Sequence, residues 1–316
     1  MPSVADSPRR PESPPPRVEE VAKDVFAFVQ PPGGWWVNNA GFVAGASEVL
    51  AVDTCSTERR TRMFMEAMER AAGRVARTLV NTHHHGDHTN GNCLLPYATV
   101  IGHTRCREEV LKAGIMRPAG LFEPVEWGAL EPAPPFVTFE ERLDVHVGDL
   151  MVELRHVGTA AHTTNDVFAW IPERRVLFTG DLLFNGGTPF VVMGSVAGSL
   201  LAIDKLLEYD AEVIVPGHGE PCTNEAFDIT GRYLRFLQET AEKARTAGLS
   251  PLEAALEADL EGPGFAHLLE PERLVANLHR AYAECDGARP GSPIDLPAAF
   301  AEMVVVNGGR PLACLA

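Results

Sequence analysis

The chain has 316 residues, 45% of them hydrophobic and 22% charged, and its 27 basic against 43 acidic side chains leave a formal charge of −16. A chain of this length can bury a large core, and its acidity speaks against phosphate-rich partners, so neither nucleic acid nor a membrane surface is expected to bind it. Six cysteines at positions 55, 93, 106, 222, 285 and 314 form no CxxC pair, which argues against a disulfide framework.

The first 17 residues hold six prolines among polar neighbours, and residues 1–20 are expected to be a disordered lead-in. They contain no apolar run of the kind a signal peptide needs, and no later stretch approaches ~18 uninterrupted apolar residues, so a cytoplasmic location is expected. From Val21 the runs DVFAFVQ, WWVNNAGFVAG and SEVLAVD predict an antiparallel meander. Residues 58–72 place Met63, Phe64, Ala67, Met68 and Ala71 on one helical face, and RTLVNT, ATVIGH and a short helix near 105–113 follow.

Prolines at 118, 124, 132, 134 and 135 mark 117–135 as a loop. LDVHVGD and MVELRHV then alternate about a Gly-Asp turn, and VFAWIPERRVLFTGD reads as a hairpin turning at Pro-Glu-Arg-Arg. After a helix at 197–209 and a strand in AEVIVPGHGE, helices are expected near 224–247, 250–259, 270–285 and 295–305. The order suggests packed sheets with outer helices, forming one α/β domain over 21–225 and a helical extension over 226–316.

Polar residues gather where strands end. In Asn81-Thr82-His83-His84-His85-Gly86-Asp87-His88, four imidazoles and a carboxylate cannot all be buried without partners. His83 and His85 can face one way while Asp87 and His88 turn toward a second point, and these are zinc-type ligands. Three more turns, at His162, Asp181 and His218, repeat the pattern of a ligand-type residue beside small residues after a β-rich run. Isolated histidines at 103, 146, 156, 267 and 279 read as ordinary surface or core residues.

The ordered set HxHxDH, His162, Asp181 and His218 resembles the metallo-β-lactamase superfamily over nearly all of residues 20–225. The resemblance implies a four-layer αββα sandwich with a metal site at one edge of its two sheets. It implies that His83, His85 and His162 bind one metal, that Asp87, His88 and His218 bind a second, and that Asp181 bridges them. Two zinc ions are the implied cofactors, with iron or manganese as substitutes at either position. Asp53, in LAVDT, would stand behind the metal loop and orient a ligand, whereas His84 fills a spacer position. A bridging aspartate is more typical of glyoxalase II-like members than of true β-lactamases, which points away from antibiotic hydrolysis. Where many members have glycine before the acidic residue of His-Thr-x-Gly-Asp, this chain has Asn165 before Asp166.

Two segments are expected to face the substrate. Trp35 and Trp36 sit in an early hairpin of the kind that overhangs the metals, and Phe184 and Phe190 follow Asp181 in an apolar, glycine-loosened run. Together they predict an apolar cavity tolerant of aromatic substrates. With Val125-Glu126-Trp127-Gly128, residues 194–199 and Arg273-Leu274-Val275-Ala276-Asn277-Leu278-His279-Arg280, they are similar to the second-ring cyclase and thioesterase enzymes of aromatic (type II) polyketide pathways, such as that of actinorhodin.

That similarity implies aldol closure and aromatisation of a second ring, then thioester release, on a polyketide delivered by an acyl carrier protein. Asp87 or a water shared by the metals would take the proton, with Asp181 holding the pair together. The alternative is a glyoxalase II-like thioesterase or a lactonase on small acyl substrates, for which Arg232, Arg235, Lys243 and Arg245 are candidate anchors. A mononuclear iron oxidoreductase using a subset of the ligands is a third reading. The C-terminal helices either cover the pocket or form the face of a homodimer.

Overall fold

A computed structural model describes residues 14–316. Its first sheet runs in chain order through β1 (Arg17–Ala22), β2 (Val25–Val29), β3 (Ala40–Ala44), β4 (Val49–Val52), β5 (Thr78–Val80), β6 (Thr99–His103) and β7 (Val137–Phe139). The pairs are antiparallel as far as β4 and parallel from there to β7. The change follows from the connections, because α1 (Glu58–Ala72), α2 (Gly86–Thr89) and α3 (Thr104–Ala113) each return the chain to the starting end of the next strand.

The second sheet contains β8 (Arg142–Val147), β9 (Leu150–His156), β10 (Val167–Ile171), β11 (Val176–Phe184) and β12 (Val213–His218), side by side in that order. Only β11 and β12 are parallel, joined across α4 (Val196–Leu207).

Period-two burial builds the layers. Val25, Ala27 and Val29 of β2 face the second sheet, where Val152, Leu154, Val167, Ile171 and Phe178 meet them. Phe28 and Phe42 point outward and take Phe64 and Met68 of α1. On the other side Phe168, Leu177 and Ile214 pack on Ile203 and Leu206 of α4 and on Phe227 and Leu234 of α5 (Glu225–Thr246). The result is the expected αββα sandwich. Beyond it, α6 (Pro251–Glu257), α7 (Arg273–Cys285) and α8 (Leu296–Val306) pack together, with α7 also against α5. The tail pairs with the long proline-rich loop, Leu312 N donating to Leu121 O and Glu123 N to Leu312 O.

Two expectations need correction. The lead-in does not reach residue 20: Arg17–Ala22 pairs along β2, while residues 1–13 lie outside the described residues. Backbone pairing needs no apolar side chains, and exposed Arg17, Glu19 and Glu20 suit a sheet edge that must not aggregate. The strand expected from Trp35 begins only at Ala40. Residues 34–37 instead form a turn in which Trp36 takes φ +65°, and Asn39 is tied to the end of β12 through Gly217 O and Pro216 O. The hairpin turn at 172–175 and the helices fall within a few residues of their expected positions. Among the described residues, no helix is long and apolar enough to cross a membrane.

Phe64 has no exposed surface and fills the space between Phe28, Phe42 and α1. Phe64→Ala is expected to cost about 3–5 kcal/mol, read as a lower urea midpoint of the metal-free protein. An unchanged midpoint would show that α1 does not help to hold the first sheet.

Candidate metal centre

Strands from both sheets end on one rim, and the ligand-type residues stand there. Asp53 follows β4, His83 to His85 follow β5, and Asp87 and His88 lie on α2. Asp181 is inside β11, His218 closes β12, and His162 lies in the turn before β10. The short α2 separates two pairs of side chains: His88 N and Thr89 Oγ1 both donate to His85 O at 3.0 Å, winding Asp87 and His88 away from His83 and His85.

Two groups of donors converge, His83, His85, His162 and Asp181 in one and Asp87, His88, Asp181 and His218 in the other, and within each group the facing atoms lie within 4.8 Å of one another. Asp181 belongs to both. Its Oδ2 is 3.3 Å from His162 Nε2 and 3.4 Å from His218 Nε2, and its Oδ1 is 3.0 Å from His88 Nε2. Asp87 Oδ2 lies 3.3 Å from His218 Nε2. No cysteine joins either group among the described residues.

The outward nitrogen of each ring is held from behind. Asp53 accepts from Thr82 N, Thr82 Oγ1 and His88 Nδ1 at 2.7, 2.7 and 2.8 Å. Because Thr82 Oγ1 donates its proton to Asp53, its lone pair is free to accept from His83 Nδ1 at 3.1 Å. His162 Nδ1 donates to Phe190 O and His218 Nδ1 to Gly33 O, at 2.5 and 3.0 Å. His85 Nε2 meets only a thioether, Met193 Sδ at 3.3 Å. These contacts take up the outward N–H of each ring, so that in its neutral form each ring turns its other nitrogen to the centre as a lone pair. Carbonyls and carboxylates can only accept, which makes the outward nitrogens of His88, His162 and His218 donors, and the Thr82 proton given to Asp53 does the same for His83.

This arrangement fits metal ions. His83 Nε2 is buried without a hydrogen-bond partner, His88 Nε2 and Asp181 Oδ1 stand 3.0 Å apart without hydrogen-bond geometry, and His85 Nδ1 and His162 Nε2 face each other at 2.9 Å. Each orphaned buried group costs about 1–3 kcal/mol, and a cation between the donors would satisfy several together. Four nitrogen and oxygen donors per group suit zinc, and also iron or manganese.

Burial penalises the imidazolium form and holds His83 and His85 well below the ordinary 6.5. His88 moves the other way: burial opposes its charge, but Asp181, Asp87 and Asp53 outweigh it and keep the ring well above 6.5. Against the same burial, Asp181 is the main reason that His218 is pushed up to about 9. The histidines in turn hold Asp181 well below the usual carboxylate range despite its burial.

A cavity of about 390 Å³ opens onto this centre, lined by His85, Asp87, His162, Asp181 and His218 on its floor. Trp35, Trp36, Phe184 and Phe190 form its walls. Sequence reasoning did not assign Met116, Leu121 and Phe122 of the long loop, Met193, or Phe300 of α8 to it, although all line it. The proline spacing marked that segment as a loop without placing it at the site, and the C-terminal helices were expected either to cover the pocket or to form a dimer face. Arg273 of α7 also lines the cavity, with its guanidinium 4.0 Å from the Trp35 ring centre. The isolated histidines lie elsewhere: His103 stacks on His156, and His279 pairs with Glu302. Asp166 folds the His162 turn by accepting from Thr163 N and Oγ1.

The sequence model of the Metallo-beta-lactamase superfamily matches residues 33–218. A linear primary-alkylsulfatase of Pseudomonas sp. is 21% identical over 83% of this chain, which spans only 59% of that enzyme's length. A hydroxyacylglutathione hydrolase of Methylococcus capsulatus is 26% identical over 66% of this chain and 75% of its own. In structure, a metallo-beta-lactamase from Pontibacter korlensis superposes with a TM-score of 0.59 at 18% identity, covering 70% of this chain and 99% of that one.

Two outcomes are expected. A Cβ on Gly217 would lie 1.9 Å from Asp181 Oδ1, so Gly217→Ala should displace the shared carboxylate. Zinc per chain, measured by elemental analysis after dialysis, is then expected to fall below that of the parent protein. Zinc must also displace protons from His88 and His218. Apparent zinc affinity, measured by competition with a chelator, should therefore keep rising with pH through about 9 rather than levelling off above 6.5.

Proposed function

The chain belongs to the metallo-beta-lactamase superfamily, and from that premise we propose that it is a dinuclear metallohydrolase cleaving thioesters or related esters of bulky, aromatic acyl groups. The observation that carries this reading is the pair of donor groups sharing Asp181 at the floor of an aromatic-walled cavity. Two zinc ions held there would polarise a carbonyl and acidify a water to near neutrality. Asp87, at the cavity floor beside His218, accepts the proton of the attacking water and returns it to the leaving sulfur as the water oxygen joins the carbonyl carbon and the C–S bond breaks. Trp35, Trp36, Phe184 and Phe190 hold the acyl group and exclude bulk water.

The relative named a hydroxyacylglutathione hydrolase supports thioester chemistry, but the walls here favour a different acyl group. Arg232, Arg235, Lys243 and Arg245 are exposed on α5 and none lines the cavity; Lys243 and Arg245 pair with Glu239 and Asp286. They therefore offer no anchor for a glutathione carboxylate inside the pocket. Burying about 100 Å² of an aromatic ring at ~25 cal/mol/Å² adds about 2.5 kcal/mol, a factor of roughly 70.

The aromatic walls also favour a second reading, the second-ring closure of a polyketide carried on an acyl carrier protein. There Asp87 takes a CH₂ proton, the carbanion attacks a ketone carbon of the same chain, and loss of water aromatises the ring before the thioester is cut. α7 and α8 contribute to the pocket through Arg273 and Phe300, which supports a covering role for the C-terminal helices over a dimer face.

Zinc-loaded protein is expected to hydrolyse a benzoyl or naphthoyl thioester at least ~10-fold better in kcat/KM than a hydroxyacylglutathione, and to lose this activity with chelator and regain it with zinc. Asp181→Ala and His85→Ala should abolish turnover in folded protein. Product mass separates the two readings, since simple hydrolysis of a poly-β-ketone thioester releases the uncyclised acid, whereas ring closure with aromatisation before hydrolysis releases an acid lighter by one water. Full activity in chelated protein, or a preference for hydroxyacylglutathione, would overturn the hydrolase reading stated here.

A further inference from the structure

One face of α7 is polar although it is buried. Arg273, Asn277, Arg280 and Glu284 recur at helical spacing, and the first three are at most 2% exposed. All four bond the backbone of the segment after β11, although Arg273 also pairs with Glu270 and Arg280 also donates to Ser292 O. Arg273 Nη1 donates to Thr188 O at 2.9 Å, Arg280 Nε and Nη2 donate to Val192 O, and Glu284 accepts from Val196 N and Ala197 N. Asn277 brackets a single residue: its Nδ2 donates to Pro189 O at 2.7 Å and its Oδ1 accepts from Val191 N at 3.0 Å. Nδ2 also reaches Tyr233 Oη at 3.3 Å.

The bracketed residue is Phe190. Its carbonyl holds the outward nitrogen of His162 and its ring lines the cavity. Three residues on, Met193 meets the outward nitrogen of His85. The other three rings lean elsewhere: His83 on Thr82, His88 on Asp53, and His218 on Gly33. A displacement of residues 189–193 therefore reaches His162 and His85 and leaves the Asp87, His88 and His218 side alone.

We propose that Asn277, buried outside the cavity, is a positioning residue for one of the two metal positions: by bracketing Phe190 it sets the ring of His162, so that helix α7 controls the three-histidine position and not its neighbour. This rests on the dinuclear reading above. Loss of an outer partner of a metal-bound histidine typically weakens metal binding 10–100-fold, and here the lost contact would act one residue further out. Asn277→Leu keeps the branched heavy-atom skeleton and removes both bonds, whereas Asn277→Asp keeps the acceptor for Val191 N and loses the donor to Pro189 O.

Zinc affinities of the full-length apo protein and of both variants would be measured by competition with a chromophoric chelator, with circular dichroism to confirm folding. The expected result is one site weakened about 10-fold in Asn277→Leu, less in Asn277→Asp, and the other unchanged. In a His162→Ala background Asn277→Leu should have a clearly smaller effect, because only the Met193 contact to His85 is left for it to act through. Equal weakening of both sites, no weakening in either folded variant, or an additive effect in the His162→Ala background would overturn the proposal. A parent protein that binds a single zinc would instead overturn the dinuclear reading.

Discussion

Asp181 is the constraint on which the rest of the site depends. One carboxylate lies within 3.0–3.4 Å of three imidazole nitrogens drawn from three different chain segments, so those segments must meet at its side chain. The meeting is possible because β11 and β12 run parallel and end together, and because residue 217 has no side chain to occupy the space taken by Oδ1. Burial should raise the pKa of such a carboxylate, and the surrounding histidines reverse that. Without a cation, the same field draws protons onto His88 and His218. The apo site is thus a set of mutually compensating charges, and metal entry exchanges protons for ions.

The sandwich supplies rigidity and the C-terminal helices supply shape. The floor of the cavity comes from β11, the end of β12 and the short turns that follow or precede other strands, while most of its walls come from loops and helices held by distant elements. Trp35 shows how this works. Its indole Nε1 donates to Glu272 Oε1 at 2.8 Å, its amide is held by Glu270, and its ring faces Arg273, so one short stretch at the start of α7 fixes the aromatic wall from three directions. The guanidinium of Arg273 is partly neutralised by Glu270, which leaves the cavity apolar in spite of a cation at its edge. The surplus of acidic residues mostly lies away from this pocket, whose floor takes only Asp87 and Asp181.

Much of this was legible from residue order alone. The run His83 to His88 with His162, Asp181 and His218 could be read as one centre, because ligand chemistry limits which side chains can cluster and strand ends limit where. Asp53, at the end of LAVD, was placed behind that cluster only through the resemblance to the family. The layers of the fold followed from period-two burial in strands such as Val25–Val29 and from the apolar stripe of α1. The loop at Trp35 and Trp36 reads as a strand because its residues have high strand propensity, but the amides that would pair go elsewhere, Trp35 N to Glu270, Val37 N to Gly34 O and Asn39 N to Gly217 O.

What the sequence determined by itself is the chemistry: which side chains can hold metal and how the sheets are layered, since both follow from residue type and local spacing. What only the tertiary structure decided is partnership at long range. Asn277 reaching the two neighbours of Phe190, Met193 meeting His85, and Phe122 and Phe300 closing the pocket join residues that are distant in sequence. No local periodicity encodes such pairs, because they depend on how helices and loops dock after each has formed.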